Sequence, residues 1–407
     1  MAGAEVDDWY ALLTSRTGDV RRSREVSARL AALEEPGLLS GVASRMISEN
    51  ARFHWYIGPV CDRVPAASLR QLAREAARAR GDGGNEPADE VIAYVSAHQP
   101  GALTAHLRAL WDIRPNRDSY YASWPWRAAD DAEVAQLLEV AGDPSGPDAD
   151  FAVRCLLETR RPEVLARLPA DEGQLAEVGF GRDADGGLRR LHPTAVWHLG
   201  FPQEVLDQWA SRKPLRRRQP SWPANAGSGR QHLTSGFLDQ TCPACGQRLH
   251  RLLRLDPVPA GLGITSRGRV EFAWCPLCGT STGAGYARHA PDGTPEPLVD
   301  RPRGDSGREP EPAEDWFIPQ TPVELVRLDD RWRQQDWALS NNRENLHRAG
   351  GEPTWIQHAS YPACPGCTRT MSAAGQIAIA DLWDSEGICY LLWCDPCAIS
   401  AVIYQQT

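Results

Sequence analysis

Lysine is all but missing from this chain of 407 residues: of 44 basic side chains only Lys213 is lysine, and the rest are arginine. That skew reflects the codon usage of a GC-rich bacterial genome and carries no mechanism. Long apolar runs are missing as well. No stretch approaches the 18 or so residues that a membrane helix requires, and the first residues, MAGAEVDDWY, lack the charged-then-apolar pattern of a secretory signal. A cytoplasmic protein with no membrane partner is expected. Positive charge is in deficit, at a net −9, which argues against a general nucleic-acid binder. The recognisable catalytic signatures are missing too: the chain has no G-x-S-x-G, no phosphate-binding loop and no H-E-x-x-H. Its histidines, among them His192, His198, His347 and His358, are scattered, and the expectation is a non-enzyme.

What the chain has in quantity is tryptophan, 15 residues, and cysteine, 11 residues. Eight of the cysteines fall in four Cys-x-x-Cys pairs: Cys242/Cys245, Cys275/Cys278, Cys364/Cys367 and Cys394/Cys397. In a reducing compartment such pairs read as metal ligands rather than disulfides. A Cys-x-x-Cys turn brings two thiolates close together, and a second turn completes a tetrahedron around zinc. A redox dithiol is the competing reading, but it needs one pair at a helix N-terminus. Here the pairs come two by two and are bounded by strand-forming runs, VEFAWC and CYLLWC. Two structural zinc sites are therefore expected, one at Cys242, Cys245, Cys275 and Cys278, the other at Cys364, Cys367, Cys394 and Cys397. Four thiolates leave no open position for a catalytic water. His250 and His289 could stand in for a cysteine, but each set is already complete. Cys61, Cys155 and Cys389 read as small buried hydrophobes.

The two blocks resemble each other. In both, the first pair contains proline, a strand ending in Trp-Cys leads into the second pair, and a tyrosine follows it (Tyr286, Tyr404). The intervening stretches, 246–274 and 368–393, are of similar length. This is the mark of an internal duplication.

Before the cysteine blocks the chain reads as helical. Stretches 67–80, 88–99, 101–113 and 128–140 space apolar residues by three and four, with Pro, Gly and Asp clusters between them. Stretch 151–168 resembles one helix–turn–helix unit of a HEAT-type repeat, turning at Arg161-Pro162. Around 183–187, Asp-Ala-Asp-Gly-Gly predicts a hairpin tip. The basic cluster Arg212, Lys213, Arg216, Arg217 and Arg218 reads as a solvated linker. Residues 291–315, rich in proline and acidic side chains, read as a loop or linker. The predicted architecture is α+β and multidomain: an N-terminal α-helical region, either a HEAT-like solenoid or an ordinary helical domain (1–175), a first β module with a zinc ribbon (176–290), the linker (291–315) and a second β module with a zinc ribbon (316–407).

The segment AGGEPTWIQ, the pair Cys364/Cys367, the strand GQIAIADL and then GICYLLWC before the last pair together resemble the YwqG-like domain and the related domain of the programmed cell death protein 2 proteins. Gly350, Gly351, Pro353, Trp355 and Gln357 fall on the Gly-Gly-x-Pro-x-Trp motif of those families. The likeness covers 347–407 well and 236–290 only through the cysteines and their flanking strands. It implies a protein-binding domain that works as a chaperone-like adaptor or a toxin-immunity protein. A polypeptide client is the expected partner, with Trp355 and Gln357 as candidate contacts. The alternative reading is a zinc-ribbon nucleic-acid binder using the 212–218 arginines, which would require a continuous basic face.

Overall fold

The computed structural model describes residues 2–15, 19–80, 84–113, 120–183, 185–223, 232–279, 283–298, 319–333, 335–340, 343–382 and 387–406. The chain divides into two compact units. One comprises Met1–Val178, Ala210–Pro220 and Asp330–Glu344; the other comprises Gly179–Trp209, Ser221–Asp329 and Asn345–Thr407.

The first unit is helical, and its helices begin where the sequence supplies caps. The Asp19 and Asn85 side chains accept hydrogen bonds from first-turn amides, Asp171 and Gln174 form a capping box, and Pro36, Pro87 and Pro162 occupy first turns. Helix Ala66–Ala79 buries Leu69, Leu72, Ala73, Ala76 and Ala77, the stripe that its three-and-four spacing predicts. Helix Glu86–His98 is buried along most of its length and packs against its neighbours Ile57–Cys61 and Ala66–Ala79. The predicted helical pair in 151–168 is present as Ala149–Glu158 and Pro162–Leu165, turning through Arg160 at φ 54°. Two segments from far along the chain join this unit. Lys213 and the arginines at 216–218 lie in or beside the 3-10 turn Pro214–Arg218, which packs on helix Val20–Ala32. Residues 330–344 contribute the turn Asp330–Trp332 and the short helix Trp337–Ser340.

The second unit is built of strands. β1 (Phe180–Arg182) and β2 (Leu188–Arg190) form a separate hairpin, with its tip at the predicted Asp-Gly-Gly and Gly186 at φ 81°. The remaining strands are β3 (Val196–Gly200), β4 (His232–Thr234), β5 (Phe237–Thr241), β6 (Arg248–Leu255), β7 (Val270–Trp274), β8 (Ala284–His289), β9 (Pro295–Leu298), β10 (Thr321–Val326), β11 (Arg348–Gly350), β12 (Ser372–Ala378), β13 (Ile388–Cys394) and β14 (Ile399–Gln405). They form one 12-stranded antiparallel sheet in the order β5-β6-β4-β10-β3-β11-β12-β13-β14-β8-β9, with β7 paired to β6. The sheet curls until β7 packs against β8, β9 and β14 from its other end. One core fills the curl: Leu253, Val270, Phe272 and Trp274 from the first cysteine block meet Ile377, Leu391, Trp393 and Val402 from the second.

The expected pair of separate β modules is therefore corrected. Both blocks lie in one unit and one sheet, because a four-strand ribbon is too small to close its own apolar core. The linker boundaries change as well. Residues 295–298 of the predicted 291–315 loop are β9, paired to β8, while residues 299–318 lie outside the described residues.

Candidate metal centres

Each cysteine block folds by the same local rules. In the first, the Cys242 amide donates to the Gln247 carbonyl (2.7 Å) and the Gly246 amide donates to the Cys242 carbonyl (2.8 Å). In the second, Cys364 donates to Arg369 and Thr368 to Cys364, both at 2.8 Å. The fourth residue after each leading cysteine takes a left-handed conformation, Gly246 at φ 75° and Thr368 at φ 63°. The strand that leaves each turn then pairs with the strand arriving at the second cysteine pair, in one common register. His250 lies opposite Trp274, Arg251 opposite Ala273, and after a bulge Leu253 opposite Phe272. Ser372 lies opposite Trp393, Ala373 opposite Leu392, and after a bulge at the same step Gly375 opposite Leu391. The duplication visible in the sequence is thus repeated in turn geometry, register and bulge.

These folds converge the sulfurs. In each set of four all Sγ atoms lie within 4.8 Å of one another. Individual separations are 3.9 Å for Cys242–Cys278, 3.5 Å for Cys245–Cys275 and 3.5 Å for Cys367–Cys394. A tetrahedral zinc with Zn–S bonds of about 2.3 Å requires edges of about 3.8 Å, so the donor sets fit that ion. The arrangement also fits in protonation. In the first set the hydrogen bond between Cys242 and Cys275 draws Cys242 down to about 5 and pushes Cys275 up, and burial raises Cys278 to about 12. A cation bound among the sulfurs would displace the thiol protons. In the second set Gly366 keeps the space clear, since a Cβ there would stand 3.1 Å from the Cys397 sulfur. In both sets the first cysteine of each pair is buried and the second half-exposed. Both clusters can hold a metal ion.

The other cysteines stay out of these clusters. Cys61, Cys155 and Cys389 are buried, and Cys389 belongs to the shared core. His250 lies on β6 and His289 on β8, where its Nε2 contacts Ser400 Oγ at 2.9 Å; neither belongs to a ligand set. His347 is fully buried, with Nε2 3.0 Å from Asp381 Oδ2, and its ring is surrounded by Phe201, Trp209 and Trp222.

The Gly-Gly-x-Pro-x-Trp segment forms a corner. Gly350 and Gly351 both take φ 72°, and a Cβ at Gly350 would stand 2.2 Å from the Ala195 carbonyl oxygen, so only glycine fits there. The buried Gln376 side chain latches the corner. Its oxygen accepts from the Thr354 amide (2.8 Å) and from Arg348 (3.1 Å), and its nitrogen donates to the Leu346 carbonyl (2.9 Å). Trp355 is half-buried, its ring 4.2 Å from that of Tyr390 and 5.2 Å from that of Tyr361. Gln357 is exposed; its amide donates to Gln405 Oε1 and its side chain to the Gln406 carbonyl, which clasps the end of β14. In the basic cluster, Arg216 is buried in the helical unit while Arg212 and Arg217 are exposed.

One residue of the second centre went unremarked in the sequence. Asp395, between Cys394 and Cys397, accepts hydrogen bonds from the amide of Thr265 (2.8 Å), the amide and hydroxyl of Ser266 (both 2.9 Å), the Thr265 hydroxyl and the Trp393 indole (3.0 Å). It ties the last cysteine turn to the loop that leads into β7 and so to Cys275. The signal was local, an acid inside a Cys-x-x-Cys turn, but Thr265 and Ser266, which supply four of its five donors, lie more than a hundred residues away.

No family model matches the chain, and no solved structure matches it. The chain is similar to protein YpfL of Salmonella typhimurium strain LT2, itself described as uncharacterised, at 27% identity over 172 residues. That stretch is 41% of this chain and 39% of the relative, so the chain spans about two-fifths of the length of the relative it matches. Among the described residues no helix is long and apolar enough to cross a membrane.

Proposed function

We propose that this is a non-enzymatic protein that holds a polypeptide client, as a chaperone-like adaptor or a toxin-immunity protein, with two zinc ions fastening its β unit. The observation that carries the zinc reading is the spacing of the sulfurs, 3.5–3.9 Å where individual pairs are measured, which suits a closed tetrahedral site of four thiolates. Such a site offers no open coordination position, and its work is to hold the fold together. The client reading draws on the resemblance of residues 347–407 to the YwqG-like and programmed cell death protein 2-like domains. The nucleic-acid alternative is less well supported, because Arg216 is buried and the chain as a whole is acidic, at a net −9.

The test has two arms. Elemental analysis of purified protein is expected to give two zinc ions per chain, and a metal-free protein with oxidised thiols would overturn the metal reading. Affinity capture of the full chain from nuclease-treated lysate is expected to yield a stoichiometric polypeptide. Capture that depends on nucleic acid and falls steeply with salt would favour the alternative.

A further inference from the structure

The helical unit contains a cavity of about 250 Å³ beside helix Glu86–His98. Its apolar wall residues include Ile92, Leu110, Pro125 and Leu339. It is also lined by Glu86, Asp89 and Glu90, which their spacing of three and four places on one helix face. Two arginines answer these carboxylates. Arg80, itself buried, pairs with Asp89, and Arg343, already paired with Asp62, also draws on Glu90. The ring nitrogens of His54 stand 3.8 Å from Glu86 and 3.9 Å from Glu90, too far for hydrogen bonds. Burial pushes the Asp89 carboxyl up to about 6 against the pull of Arg80, and it raises Glu90 as well. Three carboxylates lining one cleft, with Arg80 on Asp89 and Arg343 shared with Asp62, mark a place where a further cation would be stabilised. Next to His54 in the chain stands Trp55, whose large apolar ring is 77% exposed.

We propose that this cavity receives the side chain of an arginine or lysine from a partner polypeptide, its cationic head among Glu86, Asp89 and Glu90 and its methylene stem against the apolar wall. The size supports one side chain rather than a cofactor, since small-molecule pockets usually span about 300–1,000 Å³. The exposed indole of Trp55 supports a polypeptide over a free amine, because an aromatic at the surface anchors a surrounding chain. The acidic balance of the whole chain favours approach by a basic partner. This inference deepens the client reading and rests on it.

The experiment is an array of nonapeptides with randomised flanks and a central Arg, Lys or Gln, probed with labelled full-length protein, with affinities of the best binders then measured in solution. Peptides with Arg or Lys at the centre are expected to bind at least tenfold tighter than their Gln counterparts, and to weaken as salt rises. Glu90→Gln and Glu86→Gln are each expected to weaken them about fivefold, with circular dichroism unchanged; Glu86 is largely exposed, so its replacement leaves folding intact. Equal binding of the Arg and Gln peptides, absence of binding by all three, or affinity unmoved in both variants would overturn the proposal. Agmatine binding more tightly than every peptide would overturn the assignment to a polypeptide. Capture of a client by the full chain that survives the Glu86→Gln/Glu90→Gln double variant would leave the client reading standing while this inference fell.

Discussion

Glu344 has no exposed side-chain surface, and its carboxylate faces His98, equally buried, at 3.1 Å from Oε1 to Nε2. Around the pair stand Arg343 on Asp62 (2.8 Å), Tyr94 donating to Asp62 (2.9 Å), and Arg331 donating to the carbonyls of Cys61 (2.6 Å) and Val64 (3.0 Å). Burial by itself lowers the pKa of His98, but Glu344, the Arg331 carbonyl and Asp62 together raise it above its ordinary value. A histidine with a raised folded pKa contributes stability that is complete below the unfolded value near 6.5 and is lost as pH rises through the folded one. The stability of the helical unit against denaturant should therefore fall between neutral and alkaline pH, and the His98→Gln variant should lose that dependence. His98→Ala, which strands the Glu344 carboxylate, should cost about 3–5 kcal/mol. Trp355 poses a different question at the same scale. Its ring rests on Tyr390, so Trp355→Ala should lower stability by about 2–3 kcal/mol. If client capture by the variant recovers at a temperature where it is folded, the ring serves its own unit; if capture stays lost in folded protein, the ring is also a contact. None of these ionic pairs was legible in the sequence, because His98 and Glu344, or Asp62 and Arg343, are distant in the chain and carry no spacing rule.

At the scale of elements, the cysteine turns were legible and their fastening was not. A Cys-x-x-Cys turn is local chemistry, and four of them flanked by Trp-Cys strands specify both ligand sets by residue number. Some helix boundaries were legible for the same reason, as 67–80 against the observed Ala66–Ala79 shows, whereas the predicted helix 101–113 is two 3-10 turns, Pro100–Ala102 and Thr104–His106, before an α-helix over Leu107–Ile113. The opposite case is the segment 330–344. It reads as the approach to the second cysteine block, yet it joins the helical unit through Arg331, Arg343 and Glu344. Asp395 belongs with this hidden class. Five donors hold its carboxylate, so Asp395→Asn substitutes an amide whose own N–H groups face donors. The variant should release metal from Cys364, Cys367, Cys394 and Cys397 on the order of tenfold faster to a colorimetric chelator, in line with the usual effect of losing an outer-shell partner. Alkylation followed by mass spectrometry locates the loss. Thiols of the second set should become reactive before those of Cys242 and Cys245, and equal reactivity of both sets would show that Asp395 supports the fold at large instead.

For the whole molecule, the question is whether the two metal centres act singly or together. The sequence, with two similar blocks and an acidic stretch between them, reads as two successive modules. Strand order could not be read from it, because the neighbours β3, β10 and β11 come from residues 196–200, 321–326 and 348–350, and antiparallel pairing at such separation leaves no local pattern. The structure makes the blocks lean on each other. β8, which follows the first site, pairs with β14, which follows the second; Trp274 packs against Tyr404 at 5.6 Å, and Trp393 packs against Phe272 at 6.4 Å. Each Trp-Cys strand thus buries its indole against the other block. If both clusters hold zinc as proposed, a block that lost its metal would withdraw part of the core that its neighbour needs, and structural zinc contributes on the order of 10 kcal/mol to folding. Cys242→Ser, aimed at the first site alone, should accordingly loosen the second as well. Zinc release from Cys364, Cys367, Cys394 and Cys397 should speed up at least tenfold, and tryptophan near-ultraviolet signal from the β unit should vanish in one transition as chelator is added. Independent modules predict the opposite, with release from the second site unchanged and two separate steps. The site-resolved release rates decide between them.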